Sequence, residues 1–551
     1  MTKTARSVFA AAAALGLLVL VIFSQPLYND VDNYTVAMVV NGCFGKDNGC
    51  QYTHGWLNRL LSVLAGIFPT ADVFTLVGRV LLTAAFALLL HRVGRENRIP
   101  LFSGMLLGFF LFLSVGISLF SGNYGVQCLF FTGTGLTLLL SDPGKKPSVP
   151  GCLFLAAGFL WRLQVSLLFL PFLCLEWVCG KKWNIRENRL RIVVPLSLVL
   201  LLLAVQAFQE HREPLMSSLA YDRPRIRYQD YGAKDWPEVK EEAEKRGITH
   251  AEYEMVDQWL LLDTDVINAE KLQAIAEVSP KTDYPLTPEG FLEAARVLRW
   301  YFVGESVLNY VWLAAIVLGA LALFAAADGC RRIQPLLVVL GGQLIIYIYL
   351  IIGRAPMRLI HSVYLVQSFA LLWESLSIRD KIRGHKRTVV LVCLGALAAM
   401  FFGGSLLGLK ESGIHRPQMA MNARVNADDS ALRVPDEEGI IIWDNWGQGF
   451  NRPLMKQGKL PTREMLMRHL PAGDWVYGQS YFQQFLRDLG LSNPYRALFN
   501  DPHRYYAVSG ETSLALFAEH TPGFHAEPAG HISGIPVYRF TQTEAGDNGK
   551  K

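Results

Sequence analysis

Two carboxylates one residue apart, Asp30 and Asp32 in Tyr28-Asn29-Asp30-Val31-Asp32-Asn33-Tyr34, follow the first long apolar run of the chain. Such a pair can hold a divalent cation, Mg or Mn, or take a proton from a hydroxyl, and either role suits group transfer at a bilayer edge. The same residue types also suit a plainer task, capping a helix as it leaves the membrane. Close behind come Asn41-Gly42, Tyr52-Thr53-His54-Gly55-Trp56 and Asn58-Arg59, a supply of aromatic and hydrogen-bonding groups of the sort that hold a sugar ring. His54 is a candidate contact there, or a packing residue.

Arginine forms the second group. Arg162 in Trp161-Arg162-Leu163-Gln164, with Arg354 and Arg358 in Gly353-Arg354-Ala355-Pro356-Met357-Arg358, falls at the ends of apolar segments. Guanidinium groups in such places suit bidentate contact with phosphate, or snorkel to lipid headgroups. Arg79 falls about two turns inside an apolar segment, where a cation needs an acid or a polar cavity; Glu305 is one candidate partner. Arg225 and Arg227, in Tyr221-Asp222-Arg223-Pro224-Arg225-Ile226-Arg227-Tyr228, could cover a site and touch a lipid phosphate, or form a solvated turn.

Apolar segments must position these groups. Of 551 residues, 51% are hydrophobic, and the surplus is clustered. Runs of about 17–25 apolar residues, the length that spans hydrocarbon, recur over the first 408 positions. The first, 7–23, follows Lys3 and Arg6 and lacks a small-x-small cleavage site, so it reads as an uncleaved helix. Ten more are predicted, at about 73–91, 100–119, 124–140, 150–161, 164–179, 192–208, 303–327, 333–352, 357–376 and 388–408. The pair 150–161 and 164–179 makes a hairpin with Arg162 at its tip.

Orientation comes from the short loops. With the N-terminus in the cytoplasm, one side collects nineteen Lys and Arg against five acids, the pattern of cytoplasmic loops. The loop 24–72, the insertion 209–302, the Arg162 and Arg354 tips and the tail from 409 then share the exterior. Domains follow as 1–408, spanning the membrane, and 409–551, an extracytoplasmic α/β unit.

The insertion carries helix-start signals at Asp235-Trp236-Pro237-Glu238, Thr249-His250-Ala251-Glu252 and Thr287-Pro288. In the tail, Gly439–Trp443 and Tyr505–Val508 read as buried strands, and 462–470, 480–489 and 511–519 as helices. Cys43 and Cys50 lie in a polar loop where a disulfide is plausible on an oxidising face; the other six cysteines fall in or beside apolar runs. A net charge of +5 with no basic block among aromatics gives no reason to expect nucleic acid.

With acids directly after the first membrane helix, many further spans, a large exterior insertion and an exterior tail, the chain resembles the GT-C-type integral membrane glycosyltransferases. The bacterial GtrII-like and protein-mannosyltransferase-like members are most similar in plan. The resemblance implies an enzyme of the plasma membrane that takes a sugar from a polyprenyl-phosphate donor to a cell-envelope glycan, lipid or protein acceptor. It also implies Asp30 or Asp32 as base or metal-associated acid, and Arg162, Arg354 or Arg358 as partners of the donor phosphate. Asp-Val-Asp stands here where adjacent acids are commoner, which leaves both acids as candidates. Trp443-Asp444-Asn445-Trp446-Gly447 reads as a strand-end turn. The competing reading is a transporter or lipid-linked sugar flippase, which would place its charges near the midplane and show repeated halves; no repeat is evident.

Overall fold

The computed structural model describes residues 31–95, 124–377, 388–396 and 439–543, apart from short stretches within them such as 46–49, 142–145, 180–188, 353–356 and 445–449. The first helices are α1 (Val31–Val40), α2 (Gly55–Ile67), α3 (Val73–Arg95), α4 (Tyr124–Ser141), α5 (Val149–Ser166), α6 (Leu170–Cys179) and α7 (Arg189–Glu210). The insertion supplies α8 (Leu215–Gln229), α9 (Trp236–Lys245), α10 (His250–Asp257), α11 (Ala269–Val278) and α12 (Pro288–Gly304). Three more apolar helices follow, α13 (Val307–Ala326), α14 (Gln334–Ile351) and α15 (Met357–Ser377).

Among the described residues six stretches are long and apolar enough to cross a membrane: Val73–Arg92, Tyr124–Ser141, Val149–Cys179, Ile192–Glu210, Gln334–Ile351 and Leu359–Leu376. Trp312–Ala326 is a shorter apolar helix. The chain is therefore a largely helical polytopic membrane protein with a small C-terminal sheet. Of the eleven predicted crossings, 7–23, 100–119 and most of 388–408 lie outside the described residues.

Helix α4 is the centre of the bundle, and its sequence shows why. Gly133, Gly135 and the hydroxyls of Thr132, Thr134 and Thr137 let neighbours come close. Each Thr hydroxyl donates to the carbonyl four residues back, at 2.7–2.8 Å, so none of these hydroxyls is stranded. A Cβ on Gly135 would stand 2.4 Å from the Leu155 backbone nitrogen, and one on Gly133 2.4 Å from the Phe369 ring. Either substitution would push α5 or α15 away. Helix α7, by contrast, exposes Leu196, Leu200 and Leu201, as a lipid-facing helix does.

The stretch from 149 to 179 turns back on itself at Arg162, whose φ of −160° and ψ of 97° are not helical. A Cβ on Gly158 would fall 2.0 Å from Thr132 Oγ1, and the Ser166 hydroxyl meets that same oxygen at 2.8 Å. Eight residues of straight helix would separate those contacts by about 12 Å. Further along, Phe169 packs on Trp373, and Glu176 takes a hydrogen bond from Gln334 at the far end of the bundle. Arg162 thus marks one rim, and Glu176 the opposite one.

The tail comprises β1 (Ile440–Trp443), α16 (Arg463–Arg468), β2 (His469–Pro471), a 3-10 turn at Trp475–Gly478, α17 (Ser480–Asp488), α18 (Pro494–Asn500), β3 (Tyr505–Val508), α19 (Glu511–His520), β4 (Phe524–Ile532) and β5 (Ile535–Gln542). The sheet runs β2-β1-β3-β5-β4, parallel across the first three strands and antiparallel across the rest. The two predicted strands and three predicted helices are present. The short β2 lies where the predicted helix 462–470 ends, because His469 leaves helical geometry and Leu470 pairs with Ile442.

The insertion leans on this tail. Leu261 N donates to Ala472 O at 2.9 Å, Thr264 Oγ1 to Ser492 O at 3.0 Å, and Asn493 Nδ2 to Asp263 Oδ1 at 2.8 Å. Gly473 lies so close that an added Cβ would be 1.3 Å from the Trp259 carbonyl oxygen. Thr249 and Glu252 complete the predicted capping box, and Thr287 Oγ1 accepts from Gly290 N at 3.2 Å. Asp235 starts α9 without a side-chain cap bond, a departure from prediction.

Candidate functional site

Tyr52 is the hub of the rim. Arg162 sets its guanidinium 5.7 Å from the Tyr52 ring centre and 4.6 Å from that of Tyr124, the first residue of α4. Aromatic faces hold a guanidinium in place without neutralising it. From the tail, Trp475 meets Tyr52 edge-on at 4.8 Å. From the insertion, Asp222 Oδ2 accepts from Tyr52 Oη at 3.2 Å and also from Gln51 Nε2. Three distant parts of the chain therefore converge on one loop.

The turn at Arg162 also anchors that loop. Breaking α5 there frees the Leu160 carbonyl, which accepts from His54 N at 3.0 Å. The His54 ring accepts from Trp56 N through Nδ1 and donates through Nε2 to Leu202 O, both at 3.2 Å, so it caps α2. Burial lowers its pKa, in keeping with a neutral ring. With both nitrogens engaged, His54 is placed as a positioning residue of the loop.

Asp32 lies half-buried in the first turn of α1, and its charge is felt by Tyr52 and by Asp474. Asp30 lies outside the described residues. Next to Asp32, Asn33 Oδ1 accepts from Tyr124 N at 3.3 Å, tying α1 to the start of α4. Asp474 follows β2, buried ahead of the Trp475 turn. Burial first, and the neighbouring Asp32 second, push its carboxyl up to about 7, against the pull of Arg225 and the Thr35 hydroxyl. Nothing in the spacing of Pro471-Ala472-Gly473-Asp474 marks this acid; only the folded chain brings it to Asp32.

Arg225 is buried and paired. Its Nε donates to Asp222 Oδ1 at 2.6 Å, and its Nη2 to Tyr52 Oη at 3.3 Å, while the Trp259 ring lies 5.0 Å away. Burial would lower its pKa, but Asp222 and then Tyr52 outweigh that and hold it charged. Arg227, two residues on, is on the exposed face of α8 with Glu277 as its acidic neighbour. Arg354 lies outside the described residues, and Arg358 is placed only as a residue of α15. Arg79 is buried with Asp72 as the acid facing it.

Other polar groups of the loop serve its own folding. Asn41 donates to Asp72 at 2.8 Å and accepts from Val73 N at 2.8 Å; Asn58 donates to Cys50 O at 2.9 Å. Cys43 and Cys50 are both free thiols, which corrects the predicted disulfide. Cys43 closes the turn after α1 onto Met38 O, whereas Cys50 is buried beside Thr53. Burial pushes their pKa values up to about 12 and about 11, which makes both poor thiolates.

Several polar atoms around this hub are buried with no hydrogen-bond partner: Gln51 Oε1, Tyr221 Oη, Tyr481 Oη, Asn33 Nδ2, Gln127 Nε2 and Trp161 Nε1. Buried polar atoms of a folded chain are usually met by a protein group, a water or a ligand. Among the described residues no three His, Cys, Asp or Glu side chains converge as a metal site. A divalent ion at the predicted position would have Asp32 as its one described ligand from that pair. No family model matches the chain, and no curated protein or solved structure matches it.

Proposed function

We propose that the protein is an integral membrane glycosyltransferase that moves a sugar from a polyprenyl-phosphate donor to a hydroxyl of a cell-envelope glycan, lipid or protein. The observation that carries this reading is the meeting of Arg162, from the turn of a membrane hairpin, with Asp32 around the same Tyr52. A lipid-linked sugar presents its phosphate at the headgroup plane and its tail between apolar helices. The acceptor oxygen attacks the anomeric carbon as the bond to the phosphate oxygen breaks, and the bonding pair leaves on that oxygen. Arg162 stabilises the growing negative charge, and Asp32 takes the proton of the attacking hydroxyl.

The orientation in this reading puts the tail outside the cell, in the plasma membrane. Its support is that Arg92, bonded to Ser141 at 2.8 Å, and Arg331, beside Glu176 and Glu374, gather at the rim opposite Arg162. A transporter or flippase is the second reading. It draws on Glu374, a membrane-helix acid 2% exposed with both carboxylate oxygens lacking a hydrogen bond.

The test is incubation of the purified protein with a panel of polyprenyl-phosphate sugars, following release of free lipid phosphate. Release that requires an acceptor and disappears in Asp32→Asn supports transfer. Undiminished release in Asp32→Asn, or movement of the intact lipid across proteoliposomes without release, overturns it.

A further inference from the structure

Around Tyr52 the unpartnered polar atoms divide into two sets. Asn33, Gln127 and Trp161 belong with Arg162 and α4, at the mouth of the helix bundle. Gln51, Tyr221 and Tyr481 belong with Asp222, Arg225 and Asp474, on the side of Tyr52 that the insertion and tail build.

The second set has the chemistry of a carbohydrate contact. Gln51 Nε2 donates to Asp222 and its Oε1, a hydrogen-bond acceptor, is left open. Tyr481 is 4% exposed and its hydroxyl has no partner, although Asp474, Tyr52 and Asp222 all bear on it. Tyr221 is in the same position beside Arg225 and Asp222. Tyr477, by contrast, spends its hydroxyl on Pro471 O at 2.6 Å and is accounted for. Donors, acceptors, two carboxyl groups and the Trp475 and Tyr52 rings stand together, which is what a ligand bearing several hydroxyls on an apolar frame requires.

We propose that Gln51, Tyr221, Tyr481 and Asp474 form a subsite for the hydroxyl groups of a sugar ring, the acceptor's, on the tail side of Tyr52. The inference rests on the sugar-transfer reading for the word acceptor; the binding of a sugar ring does not. Asp32 bears on both Tyr52 and Asp474, so a hydroxyl held by Asp474 is near the base, and the donor phosphate stays with Arg162 on the bundle side. The tail then contributes to binding the acceptor, and contributes nothing to holding the donor.

The decisive variant is Tyr481→Phe. It removes an oxygen that bonds to nothing, so the protein should melt at an unchanged or slightly higher temperature. A purely structural Tyr481 would show that and no more. We expect saturation-transfer NMR on the full-length protein in nanodiscs to show binding of at least one member of a set of methyl hexosides and disaccharides. That signal should fall at least about tenfold in Tyr481→Phe and in Asp474→Ala, and persist in Arg162→Ala. Absence of binding by every probe, or binding indifferent to both tail substitutions, overturns the subsite. Loss of transfer in Asp32→Asn with probe binding indifferent to the tail would sink the subsite and leave the enzyme; probe binding without any transfer would do the reverse.

Discussion

The seam between insertion and tail and the cluster around Tyr52 are built from similar residues and end differently. At the seam, Asp263 accepts from Asn493 at 2.8 Å and pairs with His520 at 2.9 Å, and Arg496 meets Asp265 at 2.9 Å. Every partner there comes from the chain itself. Around Tyr52, Asp222 is equally well served, yet Gln51, Tyr221 and Tyr481 each leave an atom unmet and Asp474 presses on Asp32. The first arrangement holds two units together. The second costs stability that a ligand can return.

The largest expected effect is on chemistry. Asp32→Asn should lower transfer by at least about a hundredfold while the protein still inserts and accumulates, as measured by release of lipid phosphate. Arg162→Ala should lower it by about tenfold to a thousandfold, with Lys a poor substitute because it lacks the planar fork.

Acidity separates the two regions by sign. Asp474 has its folded pKa raised to about 7, so its contribution to stability is present below the ordinary carboxylate value and is lost as pH rises through 7. Replacing it by Asn should therefore stabilise the protein at pH 8, by on the order of 4 kcal/mol at most, and flatten the fall of melting temperature between pH 5 and 8. Asp263 behaves the other way. Burial would raise its pKa, but the bonds from His520 and Asn493 outweigh that and hold it low, so its contribution is present above the ordinary value and lost as pH falls. Asp263→Ala should cost about 2–3 kcal/mol at pH 7 in a thermal or denaturant melt. A stabilised Asp263→Ala, or a destabilised Asp474→Asn, would erase the contrast. Smallest of all, Tyr221→Phe removes an unmet buried hydroxyl and should stabilise the protein by about 1 kcal/mol, again by melting.

Local signals in the sequence were legible and long-range ones were not. Ile440–Trp443 and Tyr505–Val508 are apolar runs buried on both faces, so composition alone marks them as strands. Strand β2 is three residues long, and β4 mixes Pro, Gly and His with exposed positions and a bulge near Pro528, which hides it. Asp32 and Arg162 stood out because charge beside apolar runs is conspicuous. Asp474 did not, since its meaning comes from a neighbour at the other end of the sequence. His54, Asn41 and Asn58 carry conspicuous hydrogen-bonding capacity, which the loop consumes in capping and bracing itself.

The pairing of Asp32 with Asp474 has a consequence for biosynthesis. Asp474 leaves the ribosome 442 residues after Asp32. A chain lacking the segment around 474 lacks Asp474 and Trp475, and so leaves the cluster around Tyr52 incomplete. Under the sugar-transfer reading, the transfer chemistry of the rim is therefore completed only once the segment around 474 has been made and folded onto it.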